Sequence, residues 1–332
     1  MSSEVAIPLP PQRWLLHLSL LGLTFATTTL TGFVLATGSG FVGQTAVLAG
    51  VGFALTVLAI LLSHEMGHYV FARIHRVDTS LPYVIPFPPV LPGLGMVSFG
   101  TLGAVIRMRS PISTADALVD IGAAGPIAGA IVALPLLALG LAWSTVIPSP
   151  TAGESFWFGH QTLWTFGSEA VVHLRAWLAH VPVVPPVAAH AVSFGDNLLM
   201  RLMTRLVLGP LPPGYDVQVH PVAEAAWFGL LVTSFNLFPI GQLDGGHVSY
   251  AVFGERGHRW IGRAASWALL LLAIFSSFGW MLWWFVTRWV IGFTHPPVRN
   301  ATVKLGALRM AIAVISLLLL VLTFVPTLID QF

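Results

Sequence analysis

Residues 61–70 read LLSHEMGHYV and close an apolar stretch that runs from about Ala46 to Ala72. A stretch of this length can cross a bilayer, because a membrane-spanning helix needs about 20 residues. His64, Glu65 and His68 would then lie inside a membrane helix, where ionisable side chains are costly and are kept for function. The stretch therefore predicts a membrane protein with a functional site inside the membrane.

The composition of the whole chain agrees with this prediction. Of its 332 residues 56% are hydrophobic and 8% are charged, whereas soluble domains carry about 25% charged residues. The same apolar content excludes a disordered chain, and no run of basic residues points to nucleic acid. Because the chain has no cysteine, a transition-metal site would have to use histidines and carboxylates.

Six apolar stretches are predicted to span the membrane. They are Trp14–Ala36, Ala46–Ala72, Ala117–Trp143, Pro221–Phe238, Ile261–Phe293 and Leu308–Ile329. The fifth is long enough to be one tilted helix or a hairpin of two short ones, with Ser276, Ser277 and Gly279 at the turn. The predicted fold class is an all-α polytopic membrane protein with about six transmembrane helices, or seven if 261–293 is a hairpin.

The distribution of basic residues predicts the orientation of the chain. Short cytoplasmic loops are enriched in Lys and Arg, and a cytoplasmic N-terminus places the arginines that follow the second span on that side. A hairpin at 261–293 would return Arg299, Lys304 and Arg309 to the cytoplasmic side as well, which favours the hairpin. The site in the second span is then expected near the cytoplasmic side. The arginines after the second span are Arg73, Arg76, Arg107 and Arg109.

Two regions between the spans are not simple loops. Five prolines within 81–92 exclude a helix there, and the glycine-punctuated segment Met96–Met108 is predicted to form a short β-hairpin over 97–106, a surface turn being the alternative. The insert 144–220 contains Leu198–Leu208, which places Arg201 and Arg205 one turn apart on an apolar helix suited to the membrane interface. The chain is interpreted as a single domain over 1–332, with a core at about 46–252 and C-terminal helices over 261–329.

The spacing H-E-x-x-H in a helix has a direct chemical meaning. Positions i and i+4 place His64 and His68 on one helical face, so both imidazoles can reach one metal ion. Glu65 lies beside them, where a carboxylate can take a proton from a metal-bound water. Zinc suits a site made of imidazoles without thiolates. The alternative is an ordinary buried polar cluster.

Two histidines and a water leave a tetrahedral zinc one protein ligand short. The best candidate lies in 236–247, NLFPIGQLDGGH, where Pro239 and Gly241 break the helix ahead of Asp244. Non-helical backbone at membrane depth is tolerated only where it lines a protein-buried or wet cavity. Asp244 could instead cap the next helix, and Asp120 and Glu224 are weaker candidates for the third ligand.

The two motifs together resemble the site-2 protease family of intramembrane metalloproteases. HExxH and NxxPxxxLDG are both matched in full and in order, over roughly 46–252. The resemblance implies that His64, His68 and Asp244 bind one zinc ion, that Glu65 is the catalytic base, and that Asn236 positions substrate or stabilises the oxyanion. Gly125-Pro-Ile-Ala-Gly129 is similar to the family's third core helix and is interpreted here as a close-packing face.

The resemblance also implies a membrane-embedded protein substrate and a location in a bacterial inner membrane or an organelle membrane. Many family members carry a PDZ or CBS domain, and no stretch here has a composition suited to either. The insert 144–220 and the form of the QLDGGH segment at 242–247 look closest to the EGY-like branch. Independently of the family, an unwound substrate could be held as an added strand on the predicted hairpin, where Phe99 and Gly100 are predicted to contact it. Oligomeric state stays open.

Two other functions would use the same residues. A metal transporter or metal-binding protein would need the histidines but not the neighbouring Glu65. A different membrane zinc peptidase would take its third ligand from a Glu on a later helix. Of the remaining histidines, His247 is expected either to orient Asp244 or to begin the next helix, His75 is expected at the solvated cytoplasmic end of its helix, and His295 is given no role.

Overall fold

The three longest apolar stretches of the N-terminal half fold as long helices. These are α1 (Trp14–Gly38), α2 (Gly43–Ile74) and α3 (Ala115–Ala142), and each is long and apolar enough to cross a membrane. The structure, a computed structural model, describes residues 13–89, 98–148, 192–298 and 305–331 together with Val171. A membrane protein follows, while six or seven spans stay a prediction.

Further helices, of 7 to 32 residues, complete the bundle in the C-terminal half. Along the chain they are α4 (Leu198–Val207), α5 (Pro221–Asn236), α6 (Asp244–Phe275), α7 (Gly279–Phe285), which continues into a π-helical turn at Val286–Ile291, and α8 (Ala307–Thr323). Helix α6 is interrupted at Gly254, where φ is +67°. A buried core joins α2, α5 and α7 through the aromatic side chains of Phe53, Trp227, Phe235 and Trp280.

The long stretch 261–293 folds as two helices with a break at Ser276–Phe278. The break is held from the C-terminal segment, because the hydroxyl of Ser276 and the indole N–H of Trp280 both donate to the carbonyl of Pro326, at 3.0 and 2.7 Å. The second helix returns along the first, with the hydroxyls of Ser266 and Thr287 3.5 Å apart. The turn thus lies where the sequence predicted one.

Among the described residues, three antiparallel strand pairs lie outside the helices. Strand β1 (Tyr83–Pro86) pairs with β2 (Thr101–Val105), β3 (Thr145–Pro148) pairs with β5 (Tyr215–Gln218), and β4 (Val192–Phe194) pairs with β6 (Ile329–Gln331). In each pair the two strands come from different parts of the chain. The strands therefore tie loops and the C-terminal segment to the helical bundle.

The predicted β-hairpin within 96–108 is wrong in its pairing. The one strand described there is β2, and its partner is β1, from the proline-rich stretch; residues 96 and 97 lie outside the described residues. Pro86 is accommodated because it ends β1, opposite Thr101 and beside an irregularity in the register. A proline without an N–H is tolerated at such a position.

The predicted helix of the insert is present as α4. The side chain of Asn197 caps it by accepting from the backbone N–H of Met200 at 2.7 Å. Leu199 and Met200 are buried with residues in the second half of α3, whereas Arg201 and Arg205 are exposed. A place in the membrane interface stays a prediction, and residues 149–170 and 172–191 of the insert lie outside the described part of the chain.

An ion-pair network joins α8 to the end of α2. The guanidinium of Arg309 donates to the Asp120 carboxylate from Nε and Nη2, at 2.9–3.2 Å, and its Nη1 lies 3.2 Å from Asp116. The same Asp120 carboxylate lies 2.8 Å from Nε2 of His75. The start of α8 therefore lies beside the end of α2, and His75, expected at a solvated helix end, is instead half-buried in this network.

Candidate metal centre

Helix α2 presents three ionisable side chains to the interior of the bundle. His64, Glu65 and His68 are 3%, 7% and 7% exposed, and the rings of the two histidines lie 4.9 Å apart. One helical turn separates the histidines, so they share the face that packs on α3. The histidine pair is thus already arranged by the helix before any other element contributes.

Asp244 completes the cluster from a distant part of the chain. Its Oδ2 lies 3.2 Å from Nε2 of His64 and 3.3 Å from Nε2 of His68. Asp244 is the first residue of α6, and the chain reaches it through a non-helical segment that includes Gly241 at φ +53°. The residue that caps α6 is Leu243, without a side-chain hydrogen bond. Asp244 therefore begins the helix and turns its carboxylate toward the histidines.

The separations of these three atoms fit a tetrahedral metal ion. Zinc binds imidazole nitrogen and carboxylate oxygen at about 2.0–2.1 Å, which places neighbouring ligand atoms about 3.3 Å apart. Within the part of the chain that the structure describes, His64, His68 and Asp244 are the one group of three such residues whose ligand atoms converge. The donor set and its spacing suit zinc, and a fourth position is left for water or substrate.

Helix α3 fixes the orientation of the His68 ring. The Nδ1–H of His68 donates to the backbone carbonyl of Ile121 at 2.7 Å, which leaves the lone pair of Nε2 facing Asp244. A backbone carbonyl in this role holds both the tautomer and the ring plane of a metal ligand. Gly125 lies one turn further along α3, and a Cβ atom there would overlap Nε2 of His68. The glycine thus leaves room for the ligand nitrogen itself.

Two further polar groups lie beside the cluster. The amide nitrogen of Asn236, at the end of α5, is 3.3 Å from Nε2 of His64. The backbone amide of Ile106, just after β2, faces the carboxylate of Glu65. The three predicted ligands, the predicted base and the predicted oxyanion donor therefore lie together, although they come from α2, α5 and α6.

Strand β2 has a second edge that no strand pairs within the described residues. Leu102 and Val105 of this strand are 64% and 48% exposed. The predicted substrate residues lie before the strand: Phe99 stacks on Phe228 with ring centres 3.9 Å apart, and the carbonyl of Gly100 accepts from the Thr27 hydroxyl at 2.7 Å. Phe99 thus contacts α5, and the Gly100 carbonyl bonds to α1 and also accepts from the backbone N–H of Phe87, just after β1, at 3.1 Å.

The rival ligand candidates lie elsewhere. Asp120 is bound to His75 and Arg309, and Glu224 lies in the first turn of α5, at the opposite end of that helix from Asn236. His247 does not contact the metal cluster through a hydrogen bond in the described structure; its Nδ1 lies 2.7 Å from Nε2 of His295.

Three contributions to this region were not predicted as such. The carbonyl of Ile121 carries no sequence signal, and His295, in a loop before two prolines, received no role. Gly125 was interpreted as general helix packing, yet Gly125 and Gly129 have the same four-residue spacing as His64 and His68. Because α3 packs on α2, that shared spacing was the available signal: a Cβ on Gly129 would lie 3.3 Å from Cβ of His64.

The sequence also matches known proteins. Residues 52–278, more than half of the chain, match peptidase family M50. The chain is 29% identical over 282 residues to "Probable zinc metalloprotease EGY1, chloroplastic" of Arabidopsis thaliana, which covers 84% of this chain and 43% of that protein. It is 26% identical over 236 residues to "Probable zinc metalloprotease EGY2, chloroplastic" of the same plant, covering 70% of this chain and 34% of that protein.

A third relative matches a shorter part of the chain. "Probable zinc metalloprotease EGY3, chloroplastic" of Oryza sativa subsp. japonica is 33% identical over 114 residues, or 34% of this chain and 20% of that protein. The chain spans less than half the length of these curated relatives. No solved structure matches it.

Proposed function

The chain belongs to peptidase family M50, the site-2 protease family, and from that premise we propose that it is a zinc-dependent endopeptidase that cuts membrane-embedded proteins. The observation that carries the proposal is the convergence of His64, His68 and Asp244 on one point, with Glu65 beside them. Two of the three helices that can span a membrane contribute directly to this point, since α2 carries His64, Glu65 and His68 and the carbonyl of Ile121 in α3 accepts from His68. The reaction is peptide-bond hydrolysis in the course of regulated intramembrane proteolysis.

The cofactor is one zinc ion per chain, held by His64, His68 and Asp244. When bound, zinc polarises a carbonyl and lowers the pKa of its water to about 7. The chain contributes the geometry: α2 supplies two imidazoles from one face, Ile121 holds the His68 ring, and Asp244 supplies the carboxylate.

Glu65 is the proposed general base. Its carboxylate is 7% exposed and lies on the helical turn that carries both histidines, so it can accept the proton of the attacking water and pass it to the leaving amine. Asn236 is the proposed oxyanion donor, since its amide nitrogen is 3.3 Å from the ligand nitrogen of His64. A donor in this place is worth about 3 kcal/mol in the transition state.

The free edge of β2 is the proposed binding site for the substrate. A transmembrane helix bonds its own carbonyls internally, so the segment to be cut must first be unwound. An added strand on β2 would regain backbone partners, and the strand leads to Ile106 and from there to Glu65. Phe99 and Gly100 stay predicted substrate contacts at the start of this path.

The proposed location is a bacterial inner membrane or an organelle membrane. The active site is proposed near the cytoplasmic side, because the arginines that follow α2 and β2 lie at that end of the cluster. The partners are a transmembrane protein substrate and the lipid bilayer.

A metal transporter built on the same ligands is the second candidate. It is less well supported, because transport needs no carboxylate in the position of Glu65. A zinc peptidase with a Glu as third ligand is also less well supported, because the carboxylate that meets both histidines belongs to Asp244.

The test is Glu65→Gln, with cleavage of a membrane-spanning model substrate and zinc content measured on the same purified protein. We expect zinc to stay at about one ion per chain while cleavage is lost, because the amide cannot accept the proton. Glu255→Gln is the matched control, since Glu255 is exposed and paired with Arg259. Continued cleavage by Glu65→Gln would contradict the proposed mechanism.

A further inference from the structure

A band of arginines lies where β2 ends. The segment after β2 runs beside the segment after α2, with the backbone N–H of Arg109 donating to the carbonyl of Asp78 at 2.7 Å. Among the described residues of 73–80 and 106–110, four side chains are cationic and one is a carboxylate, that of Asp78. We name this band the basic rim; its cations are Arg73, Arg76, Arg107 and Arg109.

The single carboxylate of the basic rim is shared by two of its arginines. Asp78 lies 3.8 Å from the guanidinium groups of Arg73 and of Arg109. Arg76 and Arg107 are exposed and have no ion pair within the part of the chain that the structure describes. The rim therefore carries a net positive charge with two unpaired cations.

Two carboxylates at the start of α3 form ion pairs with other groups and not with the arginines of the rim. Asp116 and Asp120, at the start of α3, are both bound by Arg309, and His75 also contacts Asp120. Their negative charges are thus paired with Arg309 and His75 in the network that holds α8. An anionic group that reaches Arg107 from outside would meet no competing carboxylate from that network.

Arg107 is placed in line with the free edge of β2. Both backbone groups of Arg107 bond to Ser80, at 2.9 and 3.0 Å, on the side of β1. Because alternate residues of a strand bond toward opposite edges, Ile106 presents its backbone to the other edge of the strand. The side chains of Val105 and Arg107 are both exposed on the same outward face.

We propose that Arg107 selects substrates that carry Asp or Glu beside the segment bound along β2. The proposal rests on the proposed function, because it assumes a peptide added to the free edge. On an added strand, only every second side chain lies on the face of Arg107, and such cross-strand neighbours interact through their charges. The ligand is therefore an acidic peptide segment beside the cut, and Arg107 would recognise Asp or Glu at alternate positions of it.

An acidic peptide fits this position better than an anionic lipid headgroup does. A headgroup would be drawn to every exposed arginine of the rim, including Arg76, without dependence on the substrate sequence. Arg107 differs from Arg76 because its backbone bonds to Ser80 and so continues the pairing of the two strands, whereas Arg76 follows the end of α2. A lipid effect would thus be uniform along the substrate, whereas a peptide effect would alternate.

The experiment uses a series of membrane-spanning model substrates and the purified full chain in neutral detergent. Each substrate carries one Glu at one of six consecutive positions on the basic-rim side of the cut, and its partner carries Gln at that position. The kcat/KM ratio of each Glu–Gln pair is measured. We expect a preference for Glu of about three-fold, as for an exposed ion pair, at one or two positions separated by two residues.

The variants test whether Arg107 causes this preference. Arg107→Gln should bring the ratio at the responsive positions to about one, and Arg107→Glu should reverse it, so that Gln is preferred over Glu there. Arg205→Glu is the matched control, because Arg205 is exposed on α4, which packs on the opposite half of α3. It should leave the ratios as in the unaltered chain.

The outcomes separate this proposal from the function on which it rests. Cleavage of Glu and Gln substrates at equal rates at all six positions would overturn the role of Arg107 while the protease stands. A preference that appears only in phosphatidylglycerol vesicles and is uniform along the substrate would assign the rim to lipid and also overturn it. Failure to cleave any substrate with zinc bound would instead count against the proposed function.

Discussion

Two histidine clusters lie in the part of the chain that the structure describes, and they use their nitrogens differently. In the metal centre, Nε2 of His64 and Nε2 of His68 both point to one carboxylate oxygen of Asp244, at 3.2 and 3.3 Å. The second histidine cluster, made of His247, His258 and His295, begins only one helical turn along α6 from Asp244. Proximity in the fold therefore does not decide which histidines can bind a metal.

In the second cluster the histidines hydrogen-bond to one another and to their surroundings. Nδ1 of His247 lies 2.7 Å from Nε2 of His295, Nδ1 of His295 lies 2.8 Å from the carbonyl of Pro296, and Nδ1 of His258 lies 2.7 Å from the hydroxyl of Ser249. The ring of His295 also stacks on Tyr250, with ring centres 4.4 Å apart. The bond between His247 and His295 and the stacking on Tyr250 fasten the loop to α6, and the other two bonds lie within the loop and within α6.

The difference teaches that a metal site needs free lone pairs that converge and a nearby negative charge. The metal centre has both, because Ile121 takes the Nδ1–H of His68 and Asp244 supplies the carboxylate. No carboxylate meets the second cluster in a hydrogen bond or ion pair within the described residues. Zinc binding is therefore expected at the first cluster and loop anchoring at the second.

The largest effect is expected from Asp244→Ala, which removes the charge that distinguishes the clusters. Zinc should fall from about one ion per chain to almost none, and cleavage should be lost, since two imidazoles alone hold zinc poorly. Elemental analysis and a cleavage assay on the same sample measure this. Asp216→Ala, at an exposed position of β5, is the control. Full zinc content in Asp244→Ala would mean that another carboxylate is the third ligand.

A smaller effect is expected from Asn236→Leu, which keeps roughly the size of the side chain and removes its N–H donor without adding a charge beside His64. We expect kcat to fall by about a hundred-fold while KM and zinc content stay close to those of the unaltered chain, as for loss of one oxyanion donor. Steady-state kinetics with zinc analysis separate the two roles. If zinc is lost together with kcat, Asn236 supports the metal site and not the transition state.

Gly125→Ala tests how closely α3 must approach the metal centre. The added methyl group would overlap Nε2 of His68, so zinc affinity should fall by about ten- to a hundred-fold, as for lost support of a metal ligand. Competition with a fluorescent zinc chelator measures the affinity. Gly129→Ala is the matched control, since its methyl group would lie 3.3 Å from Cβ of His64. Equal losses in both variants would point to general helix packing.

The smallest effect is expected from His295→Ala, which removes the anchor of the second cluster. The hydrogen bond to His247 and the stacking on Tyr250 together are worth about 1–2 kcal/mol, so thermal unfolding in detergent should begin a few degrees lower. Zinc content should not change, and cleavage should fall by no more than about three-fold. Loss of zinc in this variant would erase the distinction between the clusters.

The metal centre could be predicted because its residues are unusual for their surroundings. An acid or a histidine inside an apolar stretch is conspicuous, and the structure brings together His64, His68 and Asp244 across 180 positions of sequence. Their roles as ligands stay predictions, as does the role of Glu65. The long apolar helices could be predicted equally well, since α1, α2 and α3 coincide with the first three predicted stretches to within a few residues.

The parts that could not be predicted depend on partners that leave no pattern in the sequence. Strand β1 contains Pro86 and follows Pro82, so it did not look like the partner of β2. The carbonyl of Ile121 is a backbone group that any residue would supply. His295 acts through a contact across 48 positions, and a lone histidine in a loop does not indicate where it will dock.

The attachment of the strand pair to α1 has a consequence for where a substrate would be cut. Nδ1 of His17 lies 3.0 Å from the carbonyl of Pro82, and the Thr27 hydroxyl donates to the carbonyl of Gly100 at 2.7 Å. Helix α1 is thus hydrogen-bonded to the residue before each of the two strands, while α2 carries the histidines and Glu65. On the proposed function, α1 sets how far along the bound strand the substrate is held, and α2 carries the residues that cleave it. Changes in α1 would then shift the position of the cut along the substrate and leave the chemistry of cutting intact.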